Sequence, residues 1–273
     1  MTVFEEVRKE DVQKLLQKGF SRQPPQTAYE EFRLTKNGAT LVLYASGKLL
    51  VQGKIAAVKM AAAELKKMKI GSPVKTEKFR KESGWIIGSD ESLKGDTFGG
   101  LVVAAVKADD AIRQQLEVMG VADSKTLRDE EIRPLAEKIK KIALCEIRSI
   151  LPEEYNRKGK VTELLNTLHH ACAQDLSPGT HVVDKYPGCT VGKIQEEKAE
   201  SKYVEVAAAS VIARAAALQQ LHYLSTLAGF PLPKGSTHVK LALLELKARG
   251  LEFRKFVKVD FKNVKEFLGK ENR

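Results

Sequence analysis

The 273-residue sequence predicts an α/β domain preceded by a small α+β module. Three observations carry this. Trp85-Ile86-Ile87 and Leu101-Val102-Val103-Ala104-Ala105-Val106 are short apolar runs on either side of a glycine-bearing turn, as expected of buried strands. Val206-Ala207-Ala208-Ala209-Ser210-Val211-Ile212-Ala213 is small and apolar all round, which predicts a helix packed closely on a sheet. Residues 71–84 are polar, carry Gly, Ser and Pro, and show no apolar period, so they read as a linker. The chain therefore divides into residues 1–70, a linker at 71–84, and residues 85–273.

In the first part, residues 5–18 suit a short helix, and 32–34, 40–44 and 48–52 read as strands. Residues 55–69 are rich in Ala and Lys, both good helix formers. If Ala45-Ser46-Gly47 is a three-residue loop with Gly47 at positive φ, Tyr44 lies opposite Lys48. Leu41, Leu43, Leu49 and Val51 then share one face, suited to packing on the helix. Thr40, Val42, Tyr44, Lys48, Leu50 and Gln52 share the other. Its aromatic, cation and amide suit a nucleic-acid backbone.

In the second part, strands are predicted at 85–90, 101–108, 143–150 and 180–185, and helices at 129–142, 161–175, 204–228 and 237–248. Asp129-Glu130-Glu131 places acids in a first helical turn, where the helix dipole favours them. Residues 253–267 are basic with interleaved Phe, as a terminal helix or a further contact surface.

Composition narrows the function. A 43% hydrophobic and 30% charged chain is ordinary for a soluble protein. No apolar run approaches the roughly 20 residues needed to span a membrane. The opening residues lack a signal-peptide pattern, and Cys145, Cys172 and Cys189 have no paired spacing. A reducing cytoplasm is the expected location, without a disulfide framework or cysteine zinc site. The net charge of +11 favours polyanionic partners, nucleic acid first.

Within this basic chain, Asp90 and Glu91 sit where a buried strand leaves the core. Such a pair is costly unless a metal ion or a protonated partner neutralises it. Asp184 ends the apolar strand His181-Val182-Val183, and Glu200 precedes the Ala-rich helix. If the strands at 85–90 and 180–185 are parallel neighbours, Asp90 and Asp184 meet at their C-terminal ends. Two divalent ions there could bridge attacking and leaving oxygens, and oxygen-only ligands select Mg²⁺ or Mn²⁺. Taken singly, Asp184 suits a turn and Glu200 a solvated face, so spacing alone does not join the four. A phosphate-binding P-loop at 88–97 is rejected, since Lys94 precedes Gly95 and no Gly-Lys-Ser/Thr ending follows. The histidines show no metal-ligand spacing, so His169 and His170 read as structural or exposed.

The ordered motifs resemble those of bacterial ribonuclease HIII, in the type 2 ribonuclease H superfamily. Asp90-Glu91-Ser92-Leu93-Lys94-Gly95-Asp96-Thr97-Phe98-Gly99-Gly100-Leu101 is similar to that family's Asp-Glu-x-Gly-x-Gly-Asp-x-Phe-Gly-Pro-Leu run. Asp123-Ser124-Lys125, Val182-Val183-Asp184, Lys198-Ala199-Glu200 with the following Ala-rich helix, and Pro233-Lys234-Gly235 match in order. In the first part, Tyr44-Ala45-Ser46-Gly47-Lys48 and Val51-Gln52-Gly53 resemble the family's extra domain, similar to the TATA-binding-protein fold.

The resemblance implies a ribonuclease H-like domain, a mixed sheet flanked by helices, that cuts the RNA strand of RNA–DNA hybrids. Products would carry 3′-hydroxyl and 5′-phosphate ends. Asp90, Glu91, Asp184 and Glu200 would hold two Mg²⁺ or Mn²⁺ ions. Ser92, Lys94 and Gly95 would face the hybrid's minor groove, where 2′-hydroxyls mark RNA. Ser124 and Lys125 would approach phosphate, and Tyr44, Lys48 and Gln52 would grip the hybrid. A monomer without organic cofactor is expected. Leu93 stands where the family pattern has Gly, and Gly100 where it has Pro. Leu93 is expected to strain the turn or block the groove contact. Two other readings stay open: cleavage at single ribonucleotides embedded in DNA, as in ribonuclease HII, and hybrid binding with impaired catalysis.

Overall fold

The computed structural model describes residues 2–27, 29–73, 82–121 and 127–269. The chain divides into two compact units, Met1–Thr76 and Glu77–Arg273.

The first unit runs β1 (Thr2–Glu5), α1 (Asp11–Gln17), β2 (Ser21–Gln23), β3 (Glu30–Lys36), β4 (Ala39–Tyr44), β5 (Leu49–Gly53), α2 (Ile55–Lys67) and β6 (Ser72–Pro73). These strands form an antiparallel sheet in the order β2-β3-β4-β5-β1-β6. The β4–β5 hairpin closes through three residues, with Leu43 opposite Leu49, the Tyr44 N–H donating to the Lys48 carbonyl, and Gly47 at φ 76°. Leu41, Leu43, Leu49 and Val51 are buried with Val58, Ala61 and Leu65 of α2. The helix expected over 5–18 begins only at Asp11. Before it, the β-branched and aromatic run Thr2-Val3-Phe4 pairs along β5, Phe4 is fully buried, and Glu6 turns the chain at φ 59°. Of the expected linker, Ser72–Pro73 pairs with β1, and residues 74–81 lie outside the described residues.

The second unit runs β7 (Ile86–Ser92), β8 (Leu101–Ala108), α3 (Asp110–Met119), α4 (Asp129–Ile142), β9 (Leu144–Ile150), α5 (Pro152–Tyr155), α6 (Val161–Asp175), β10 (Thr180–Asp184), β11 (Ile194–Glu196), α7 (Ala199–Lys202), α8 (Val204–Ala228), α9 (Lys240–Ala248) and α10 (Lys262–Gly269). Among the described residues its sheet is mixed, in the order β11-β10-β7-β8-β9. β11, β10 and β7 are parallel, while β7–β8 and β8–β9 are antiparallel.

Helices cover both faces of this sheet. On one, α8 lies so close that a Cβ on Gly88 would meet the Val206 backbone N at 2.3 Å. Only small residues allow this approach, which is why Ala207, Ala208 and Ala209 line the contact. On the other, Ile87, Val103, Ala105 and Val183 pack on Leu164, Leu165 and Leu168 of α6. The Phe-bearing basic segment is mainly packing: Phe256, Val257 and Val264 are buried, and its helix is confined to α10.

Candidate active site

Successive side chains on a strand point to opposite faces, so Asp90 and Glu91 diverge. Asp90 shares the α8 face with Gly88. On the neighbouring parallel strand, Val183 pairs with Ser89, which puts Asp184 level with Asp90. The expected meeting of the two strand ends is present. Asp184 Oδ1 accepts the Ala199 N–H at 3.1 Å, at the start of α7. Lys198, in the left-handed region at φ 56°, turns the chain so that Glu200 falls in that first helical turn.

These carboxylates are mutually unfavourable. Burial pushes Asp90 up to about 8 and Glu91 adds to it, while a Ser210 hydrogen bond pulls it back. Burial pushes Asp184 up to about 6, opposed by the Ala199 N–H and reinforced by Glu200 and Glu91.

Glu91 sits differently, on the α6 face. Burial alone would raise it, yet His169 and Lys94 together hold it below the usual carboxylate range. Lys94 Nζ is 2.8 Å from Glu91 Oε1 and 5.1 Å from the Tyr186 ring centroid. His169 Nε2, fully buried, is 3.4 Å from Glu91 Oε2. The Tyr186 ring lies 5.6 Å from that of His169, and its hydroxyl donates to Asn166 Oδ1 at 2.9 Å. Sequence spacing missed His169, whose partners come from other elements; His170 is exposed.

The turn after β7 is held from the C-terminal segment. Leu93 adopts φ 67°, a left-handed conformation costing a non-glycine residue roughly 1–2 kcal/mol. Its side chain is buried in the core, beside Gly99. The fully buried Lys258 donates to the carbonyls of Leu93 at 2.8 Å, Asp96 at 2.6 Å and Gly99 at 3.0 Å. The sequence reading did not single out this residue, which lies in the basic segment 253–267. Gly100, in the family's Pro position, donates its N–H to Gln220 Oε1 at 2.7 Å, and a Cβ there would meet the Ile150 carbonyl at 2.1 Å.

Among the described residues, no three His, Cys, Asp or Glu side chains form a ready-made ligand group. Asp90 and Asp184 share one face of the sheet, while Glu91 points to the other. The donor chemistry nevertheless fits a hard divalent cation. It consists of carboxylate oxygens at one strand end, and the charges that raise Asp90 and Asp184 are those a cation would relieve.

Of the other expected contacts, Ser92 is half-buried, Gly95 is exposed, and Lys94 is engaged with Glu91. Ser124 and Lys125 lie outside the described residues. In the first unit, Tyr44 and Lys48 line a shallow concavity of about 450 Å³ with Val3, Tyr29 and Leu50. Gln52 lies further along the strand, opposite Thr40. Tyr29 is 78% exposed, and the sequence reading did not single it out.

Comparison with known proteins agrees with this architecture. The ribonuclease HII family model matches residues 87–264. The chain is 36% identical to ribonuclease HIII of Protochlamydia amoebophila, over 94% of this chain and 92% of that one. It is 30% identical to ribonuclease HIII of Bacillus subtilis, over 86% of each. Among solved structures, Bst-RNase HIII in complex with Mn²⁺ superposes with a TM-score of 0.63 at 26% identity, covering 100% of this chain and 99% of that chain. Aquifex aeolicus RNase H3 gives 0.57 at 25% identity, covering 95% of this chain and all of the other. By sequence, fold and the order of its elements, the chain belongs to the ribonuclease HIII family and is a ribonuclease H endonuclease.

Proposed function

We propose that the protein hydrolyses the RNA strand of RNA–DNA hybrids, leaving 3′-hydroxyl and 5′-phosphate ends, with Asp90, Glu91, Asp184 and Glu200 holding two Mg²⁺ or Mn²⁺ ions. The observation that carries this reading is the level placement of Asp90 and Asp184 on parallel strands, beside Glu200 and with Glu91 next in the chain. When bound, the ions would supply Lewis acidity for water attack and for the charge on the departing 3′ oxygen.

The protein's own groups do the rest. The turn 92–95 presents Ser92 and the backbone of Gly95 to the minor groove, where 2′-hydroxyls distinguish RNA. Lys258 keeps the stretch 93–99 in one shape by holding the carbonyls of Leu93, Asp96 and Gly99. Lys94 and His169 fix the Glu91 carboxylate. Ser124 and Lys125 approach phosphate. The first unit acts as a substrate-binding domain of TATA-binding-protein type, with Tyr44, Lys48 and Gln52 on its hybrid-facing side. Tyr29 adds a second aromatic for stacking. The enzyme works as a monomer; all three cysteines are free thiols, which suits the cytoplasm.

The test is cleavage of an end-labelled RNA–DNA hybrid in Mg²⁺ and in Mn²⁺, beside a duplex with one embedded ribonucleotide. Metal-dependent cuts throughout an RNA run, faster than at a lone ribonucleotide, are expected. Preference for the lone ribonucleotide would assign ribonuclease HII-like specificity instead. Binding without cuts in either metal would leave only a hybrid-binding protein.

A further inference from the structure

Beneath Glu91 lies a buried polar chain that the proposed reaction does not use directly. Ser89, two residues before Glu91 on the same face of β7, is fully buried. Its Oγ lies 2.8 Å from His169 Nδ1 and 2.7 Å from His181 Nε2. His169 reaches in from α6 and His181 from β10, while the other nitrogen of His169 points at Glu91 Oε2. At 3.4 Å that last contact is longer than a full hydrogen bond. Neither His169 Nε2 nor Glu91 Oε2, both buried, has any other hydrogen-bond partner among the described residues. Unpaired buried polar atoms are costly, so two aimed at each other form a contact poised to tighten when the site is loaded.

We propose that Ser89, His169 and His181 form a directional hydrogen-bonded tether that orients the Glu91 carboxylate. Resting on the reading of Glu91 as a metal-holding acid, this makes Ser89 and the two histidines positioning residues. The direction follows from counting protons. An ionised Glu91 only accepts, so His169 carries its proton on Nε2. Its Nδ1 is then an acceptor, and the Ser89 hydroxyl donates to it. A hydroxyl has a single hydrogen, so Ser89 Oγ must accept from His181 Nε2–H. With neutral imidazoles no other arrangement satisfies all three contacts. Glu91 is thereby coupled to the strand that carries Asp184, and both halves of the carboxylate site are set by one chain of contacts.

Tautomers are directly readable. Long-range ¹H–¹⁵N correlation spectra of the full-length, histidine-labelled, metal-free protein should show His169 and His181 both protonated on Nε2 alone. A doubly protonated His169 or an Nδ1–H His181 would reverse the chain and overturn the proposal. Variants give a second, independent reading through Mn²⁺ affinity measured by calorimetry without substrate. Loss of an outer-shell partner of a metal-holding group typically costs about 10- to 100-fold in metal affinity. Ser89→Ala should show a loss of that order. His169→Gln, whose amide can still donate toward Glu91, should keep more affinity than His169→Asn or His169→Phe. Equal losses for the three His169 variants, or wild-type affinity in Ser89→Ala, would overturn the tether. Glu91→Gln serves as the control: if it binds Mn²⁺ as wild type does, the metal-holding role of Glu91 fails, separately from the tether.

Discussion

The two faces of β7 handle charge in opposite ways. Toward α8, Gly88 gives way to the helix backbone, and Asp90 meets Asp184 where burial and like charge push both upward. Toward α6, Ser89 is tied to two histidines, and Glu91 is already paired with Lys94 and faces His169. One face is therefore loaded and waits for a cation, whereas the other is balanced before any arrives. The lesson is that strand parity, not spacing, sets which of two adjacent acids waits for a cation and which is already held in place.

The most severe way to break this contrast is to remove charge from the loaded face. Asp90→Asn should bring cleavage to background while hybrid binding, followed by fluorescence anisotropy, is kept, because a metal-holding oxygen is lost rather than a phosphate contact. Loss of binding at unchanged folding would contradict the division of roles.

The next largest effect concerns the turn that joins the faces. Leu93→Ala removes a buried side chain and should cost about 2–5 kcal/mol in urea unfolding. Leu93→Gly loses the same packing but relieves a left-handed strain of roughly 1–2 kcal/mol, so it should be no less stable than the Ala variant. A Gly variant clearly less stable than the Ala variant would mean that φ 67° carries no strain.

Smaller again is Gly88→Ala. Its Cβ would fall 2.3 Å from a helix backbone atom, so α8 must shift; about 1–3 kcal/mol of destabilisation is expected. Wild-type stability would show that the loaded face is not closely packed.

The subtlest prediction concerns Lys258, pushed down to about 7 by burial, with Asp96 and Asp260 pulling it back up. The unfolded chain holds this proton up to the ordinary lysine value of 10.5, so between about pH 7 and 10.5 it binds more protons than the native state. Stability from this group therefore rises with pH across that window. Lys258→Met lacks the rise, and should fall progressively behind wild type from pH 7 upward. Parallel stability curves would contradict the shift.

Much of the scaffold was legible in the sequence because local patterns dictate it. The apolar runs of β7 and β8, the Ala-rich α8 and the three-residue hairpin all follow from periodicity and turn chemistry. α3 was overlooked although its signals are present: Asp109 caps it by accepting the Ile112 N–H, and Gly120 ends it at φ 77°. The strand Thr2–Glu5 went unassigned, its last residue taken into the expected helix, because its pairing partner lies over 40 residues away. Of the site, Asp90, Glu91, Asp184 and Glu200 stood out as acids at element ends. The groups that hold them did not. His169 and His181 lie 80 and 92 residues from Ser89, and Lys258 lies 165 residues from Leu93. Such contacts are made by the fold and leave no local pattern.

The most direct test of the account is anomalous diffraction from crystals of the full chain soaked in Mn²⁺. The account predicts a Mn²⁺ peak between the Asp90 and Asp184 carboxylates, with Glu91 contributing to the metal site while keeping its contact with His169. Saturating Mn²⁺ with no peak between those two carboxylates would contradict it.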